Sequence, residues 1–312
     1  SGARFARAST LRLLEGEGAA FHYGAQAGAG GIVLENSSSI AGNVYANGPI
    51  DGAGGNLIKG DVVSAGVAGL VRDVHATSSV YAHAIQDAEI DGDAHYQTIT
   101  GTTVGGALYP GSADKETKDM PITDAQIEGW KSDAAAGGVL SSPCPYAIDN
   151  NTTLGPKKIN CSMKISGNPT ITLVGPLWIA GDLDIENSAA VRIDAALSGK
   201  SIAIIADGKI TLQNTASFAG AGANSHILLI SGKESGEGII AKNSVTGALL
   251  LYAPQSEIIL ENYIRIKEVS GYKIRLKNSA EVAYETGLAS LLFTAGPSGG
   301  YTLGSWKEIT DP

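Results

Sequence analysis

The sequence predicts an all-β protein, a parallel β-helix or solenoid, with one inserted α-helix near residues 123–136. Three observations carry that fold class. Glycine supplies 41 of the 312 residues, against 6% aromatic and 17% charged residues, which points to frequent turns around a narrow aliphatic interior. Short apolar runs, each the length of one strand, alternate with Gly, Asn and Asp. An asparagine-centred unit then recurs at a fixed phase relative to those runs, as one strand set per coil requires.

Taken in order, residues 1–20, with Arg4, Arg7 and Arg12, read as a linker or first strand. Residues 21–110 read as a first solenoid part, in which Gly42-Asn43-Val44 returns as Gly60-Asp61-Val62 and Gly92-Asp93-Ala94. The glycine-rich stretches 28–31 and 52–55 lack the lysine of a phosphate loop and read as turns. Residues 111–143 read as a loop followed by the helix. Thr123 and Gln126 have capping-box spacing, Ile127, Trp130 and Ala134 share one face, and Gly137-Gly138 offers a left-handed stop. Both flanks are rich in β pattern, so the helix is expected to cap or cross a sheet stack.

Residues 144–312 read as a second solenoid part. Asn187, Asn214, Asn243, Asn262 and Asn278 follow one another at 27, 29, 19 and 16 residues, and Asn36 has the same setting in the first part. Asparagine tolerates the left-handed region and can bond to its counterparts on adjacent coils. A strict six-residue repeat appears only in fragments such as Ile179, Ile185 and Val191, and the irregular coil length favours a right-handed helix. Trp130 and Trp178 read as packing residues, and Trp306 as a seal on the last coil.

Several functional classes lose support. A net charge of −9 disfavours nucleic-acid binding, which needs clustered Lys and Arg. No run of 18 apolar residues offers a transmembrane helix. Cys144 and Cys161, 17 positions apart across turn-forming residues, are a disulfide candidate whose closure would remove roughly 3 kcal/mol of unfolded-state entropy. The other reading is two unrelated buried thiols.

No catalytic constellation stands out. The carboxylate segments of β-helical pectin hydrolases and a nucleophile elbow are both missing. Asp87, Glu89, Asp91 and Asp93 alternate along the chain, and strand periodicity would put all four on one face able to hold Ca²⁺. The bland reading is a solvated outer face with Ala88, Ile90 and Ala94 inward. His75, His83 and His95 lie in the same region and would form a metal or acid–base site only if the coils brought them together.

Some segments also carry a resemblance. Phe21-His22-Tyr23-Gly24-Ala25-Gln26-Ala27-Gly28 leads to Gly42-Asn43-Val44-Tyr45-Ala46-Asn47-Gly48. Pro121-Ile122-Thr123-Asp124, Leu154-Gly155-Pro156-Lys157-Lys158-Ile159, Tyr284-Glu285-Thr286-Gly287-Leu288-Ala289 and Gly304-Ser305-Trp306-Lys307-Glu308 follow. This set resembles a family of uncharacterised surface proteins of candidate-phylum bacteria with very small cells. Members carry an N-terminal helix like that of minor type IV pilins, a pattern that residues 1–20 here do not show. The resemblance implies an exported protein at the cell surface, linked to adhesion or pili, with no enzymatic residues to carry over. Its expected partners are a host or neighbouring cell surface, a glycan or pilus components. The repeats are also similar in style to bactofilins, β-helices that polymerise end to end. The leading expectation is a non-enzymatic extracellular structural or adhesion protein without a cofactor. The alternatives are a carbohydrate-binding or carbohydrate-cleaving β-helix and a self-assembling filament subunit.

Overall fold

Strands of two to five residues are too short to be stable alone, and each is held by parallel pairing with a strand one coil away. The computed structural model describes residues 8–14, 19–294 and 302–309. In the first part, one face places Val44, Val62, Val80, Ala94 and Leu108 in register. A second face aligns Ile32, Ile50, Val71, Ile85 and Ile99. The third aligns Ile40, Ile58, Ala76, Ile90 and Val104. These rows point inward and are buried until the last coil, where Leu108 is 55% exposed because no further coil covers it.

The second part obeys the same rule with longer and less regular coils: Met163, Leu183, Ile210, Ile239, Ile258 and Ile274 form one row. That row does not end at Ile274. It continues onto Ile32, just as Val282 of the third face continues onto Ile40. The stacking order is therefore permuted relative to the sequence. The chain enters in the middle of the stack, winds out to Pro110, returns along the outside, and starts again at the opposite end with Val139–Leu140. It then winds back until its last coil lies on its first. One sheet of 22 strands wraps two faces, because Ala25–Leu34, Leu249–Glu261 and Glu268–Lys277 run through the corner between them, and a sheet of 12 strands makes the third.

The return segment is fastened to the first part by hydrogen bonds that run its length. Gln26 Nε2 donates to the Asp119 carbonyl at 2.7 Å and Asn47 Nδ2 to that of Lys118 at 2.7 Å. Gly66 N–H donates to the Lys115 carbonyl at 2.9 Å, and Gln97 Nε2 to that of Ser112 at 2.7 Å. Helix α1 (Asp124–Ala136) then begins on a complete capping box: the Thr123 N–H donates to Gln126 Oε1 at 2.8 Å, while Thr123 Oγ1 accepts from the Gln126 N–H at 3.3 Å. The positive φ at its end falls on Gly138 (107°), whereas Gly137 has φ −76°. The helix runs along the side of the second part and does not cap an end.

What α1 covers explains a feature of the sequence. Ile202–Ala206 and Ile227–Ser231 are buried at every position, and Leu249–Ala253 likewise, as expected of strands enclosed on both faces. Their outward residues, among them Ile205, Leu228, Ile230 and Leu250, join Trp130, Ile122, Phe21, Leu288 and Leu291 in a second core outside the coils. Tyr252 anchors it by donating from its hydroxyl to the Ile122 carbonyl at 2.7 Å. Trp178 also points outward, with Leu177 and Ile179 inward. Its indole N–H donates to Asp207 Oδ2 at 2.9 Å, and Lys158 Nζ sits 3.5 Å from the ring.

Two boundaries differ from expectation. Val139–Leu140 pairs with Lys157–Ile159, so the second part begins inside the stretch read as a connector. Ala8–Leu14 is a strand, and it pairs antiparallel with Thr302–Ile309 instead of joining the stack. Trp306 stands opposite Leu11; the packing of its side chain lies outside the described residues.

Candidate functional site

The corner after the second face is where the sequence and the stack meet most closely. Asn36, Asn187, Asn214, Asn243, Asn262 and Asn278 all have φ between 51° and 65°, the region that a short amide side chain tolerates. Their amides form a ladder: Asn214 donates to Asn187 at 3.2 Å, Asn262 to Asn243 at 2.9 Å, Asn278 to Asn262 at 2.9 Å and Asn36 to Asn278 at 2.9 Å. The last bond crosses the join between the two parts. In the first part the same corner passes to Gly54, Asp73, Asp87 and Gly101, again with positive φ.

That succession corrects the expectation of four carboxylates on one strand face. The strand is only Glu89–Ile90. Asp87 precedes it at the corner with φ 50°, and Asp93 follows it in the next turn, where its Oδ1 accepts the Ala107 N–H at 2.7 Å. Backbone reversal at both corners turns these two side chains away from the strand. Glu89 and Asp91 remain together on either side of buried Ile90, while Ala88 and Ala94 are buried as the bland reading requires.

The three histidines do not converge either. His83 Nδ1 lies 3.1 Å from Asp114 on the return segment. His95 is stacked between Tyr81 and Tyr109, with ring centroids 4.3 and 4.4 Å apart. His75 instead sits one coil below Glu89 in register, with its Nδ1 4.0 Å from Glu89 Oε2 and its Nε2 3.4 Å from Asp91 Oδ1.

Beside this cluster is an open groove of about 520 Å³, lined by residues 52–56, Asp73, Val74, His75, Asp87 and Glu89. Its wall exists because the corner 52–56 is longer than those of the coils above it. Asn56, which sequence reasoning passed over, is 5% exposed and fastens that wall. Its Nδ2 donates to the Asp73 carbonyl at 2.8 Å, and its Oδ1 accepts the His75 N–H at 3.4 Å. The departure of Gly54-Gly55-Asn56 from the Asn-Ser corner pattern was its only sequence signal. With three carboxylates and one imidazole, the groove suits a cation or a hydroxyl-rich ligand.

At one end of the stack, Cys144 and Cys161 are bonded, with Cα atoms 6.0 Å apart. Two other ionisable groups are buried outside the coils. Burial pushes the Glu268 carboxyl well above its usual range, and only Ser270, donating to it, opposes this. Burial likewise lowers His226, against the pull of Glu285 at 3.5 Å. No helix among the described residues is long and apolar enough to cross a membrane.

No family model and no curated protein matches the chain. Among solved structures, the crystal structure of an ice-binding protein from an Antarctic bacterium of the Flavobacteriaceae is similar at 12% identity, over 84% of this chain and 81% of that one, with a TM-score of 0.31. At that score the likeness carries no functional reading.

Proposed function

We propose that this chain is a non-enzymatic extracellular or cell-surface protein with a structural or adhesive role, of the kind the pilus-linked resemblance implies. The observation that carries the reading is the way the stack is fastened. Its last coil docks on its first, a return segment and a helix strap its side, and a disulfide pins an end coil to the next. Such a body keeps its shape without a partner, and the disulfide suits an oxidising compartment outside the cytoplasm. The acidic groove at residues 52–56 is the surface at which a glycan or another hydroxyl-rich ligand would be met. Purified protein should bind whole cells or an arrayed glycan without turning the glycan over. Polysaccharide cleavage that disappears in Glu89→Gln or Asp91→Asn would overturn the non-enzymatic reading.

A second reading, end-to-end self-association, is favoured by the coil Thr98–Pro110. It carries no charged residue between Gln97 and Ser112, and it leaves Leu108 and Tyr109 exposed at the open end. Natural sheets usually guard such an edge with Lys or another charge. Light scattering that shows a monomer at high concentration, unchanged by Leu108→Lys, would remove this reading.

A further inference from the structure

We infer that His75, Glu89 and Asp91 form a site for one divalent transition-metal ion of the zinc type, bridging two successive coils. The first argument is a distance. His75 Nε2 and Asp91 Oδ1 face each other at 3.4 Å without forming a hydrogen bond. Nε2 has no hydrogen-bond partner and no contact with solvent. An ion bound to nitrogen at about 2.0 Å and to a carboxylate oxygen at about 2.1 Å, with a tetrahedral angle near 110°, holds those two atoms about 3.4 Å apart. The pair is therefore spaced as two ligands of a shared ion would be.

The second argument is the donor set. Nitrogen and oxygen ligand atoms from His75, Glu89 and Asp91 all lie within 4.8 Å of one another. Glu89, 65% exposed at its side chain, closes the remaining distance by rotating about its own bonds. One imidazole with two carboxylates suits zinc and its neighbours, whereas Ca²⁺ takes six to eight oxygens. The backbone holds the three in place. The Glu89 and Asp91 N–H groups donate to the Val74 and Ala76 carbonyls, both at 2.9 Å, and the His75 N–H is received by Asn56. His75 and Glu89 also line the groove, so an ion held there has its open position available to water or to an oxygen of a groove ligand. The site was hidden in the sequence because its nitrogen comes from one coil and its oxygens from the next.

The test is calorimetric titration of the full chain with Zn²⁺ after EDTA treatment and dialysis, with Co²⁺ as a spectroscopic probe. The expected result is one ion per chain and the intense visible absorption of four-coordinate Co²⁺. His75→Ala should abolish that absorption, and His75→Ala and Asp91→Asn, each removing a ligand, should weaken binding by at least the roughly tenfold lost with a mere partner of a ligand, while exposed His22→Ala should change neither. Circular dichroism identifies a variant that has unfolded, and the conservative Asp91→Asn keeps the test decisive in that event. Absence of stoichiometric binding, or binding equal in wild type, His75→Ala and Asp91→Asn, overturns the assignment.

Discussion

Docking of the last coil on the first makes a prediction that a sequentially stacked solenoid does not. Ala41 and Ala283 are in register across the join, where parallel neighbours lie about 4.8 Å apart. That is inside the Cα range a disulfide accepts. The double variant Ala41→Cys/Ala283→Cys should therefore cross-link on mild oxidation, forming a bridge separate from Cys144–Cys161. Closing a loop of about 240 residues removes roughly 5.5 kcal/mol of unfolded-state entropy in the chain-entropy model, an upper bound because geometric strain subtracts from it. The assay is peptide mapping under non-reducing conditions, followed by denaturant melts of the oxidised and reduced forms. The control pair is Thr103→Cys/Asn151→Cys, which would be adjacent if the second part simply continued the first. A bridge in the control and none at 41–283 would refute the permuted order and the argument built on it.

Three further outcomes follow from individual residues. Asn262→Ala removes the bonds to Asn243 and Asn278 and the amide that makes the left-handed region tolerable, so denaturant melts should show a loss of about 2–3 kcal/mol, and Asn262→Gly a smaller one. Reducing Cys144–Cys161, or replacing both with Ser, should cost roughly 3 kcal/mol for a loop of this size, measured by thermal or chemical melts. Burial keeps folded His226 below its ordinary 6.5, against Glu285 and with Lys267 nearby, so the unfolded chain takes up the proton more readily. Stability should therefore fall as pH drops below about 6.5 toward the lower folded value, and His226→Gln should flatten that part of a Tm-versus-pH profile. A slope unchanged in the variant would assign the effect to another group.

The local rules of this molecule were legible because they act within a coil or between equivalent corners. Asn36 and its five counterparts could be recognised before any coordinates, since a left-handed corner that must also bond its neighbours narrows the choice to very few residues. The capping box at Thr123 and the inward Ala88, Ile90 and Ala94 are of the same kind. The acidic run was read only in part. Alternation holds for Glu89 and Asp91, but it assumes an unbroken strand, and corners on both sides turn Asp87 and Asp93 elsewhere. The fully apolar runs at 202–206 and 227–230 did carry a signal, enclosure on both faces, which pointed to a covering layer without saying what supplied it.

The sequence by itself determined that short parallel strands would stack with asparagine at the corner, because side-chain periodicity and backbone tolerance are properties of a few adjacent residues. Only the tertiary structure decided the order of the coils, the layer under α1, and the meeting of His75 with Glu89 and Asp91. Those depend on which edges find each other. Every coil here offers much the same parallel edge, so the choice falls to the return segment and the helix, whose lengths and contacts carry no repeat for a sequence pattern to register.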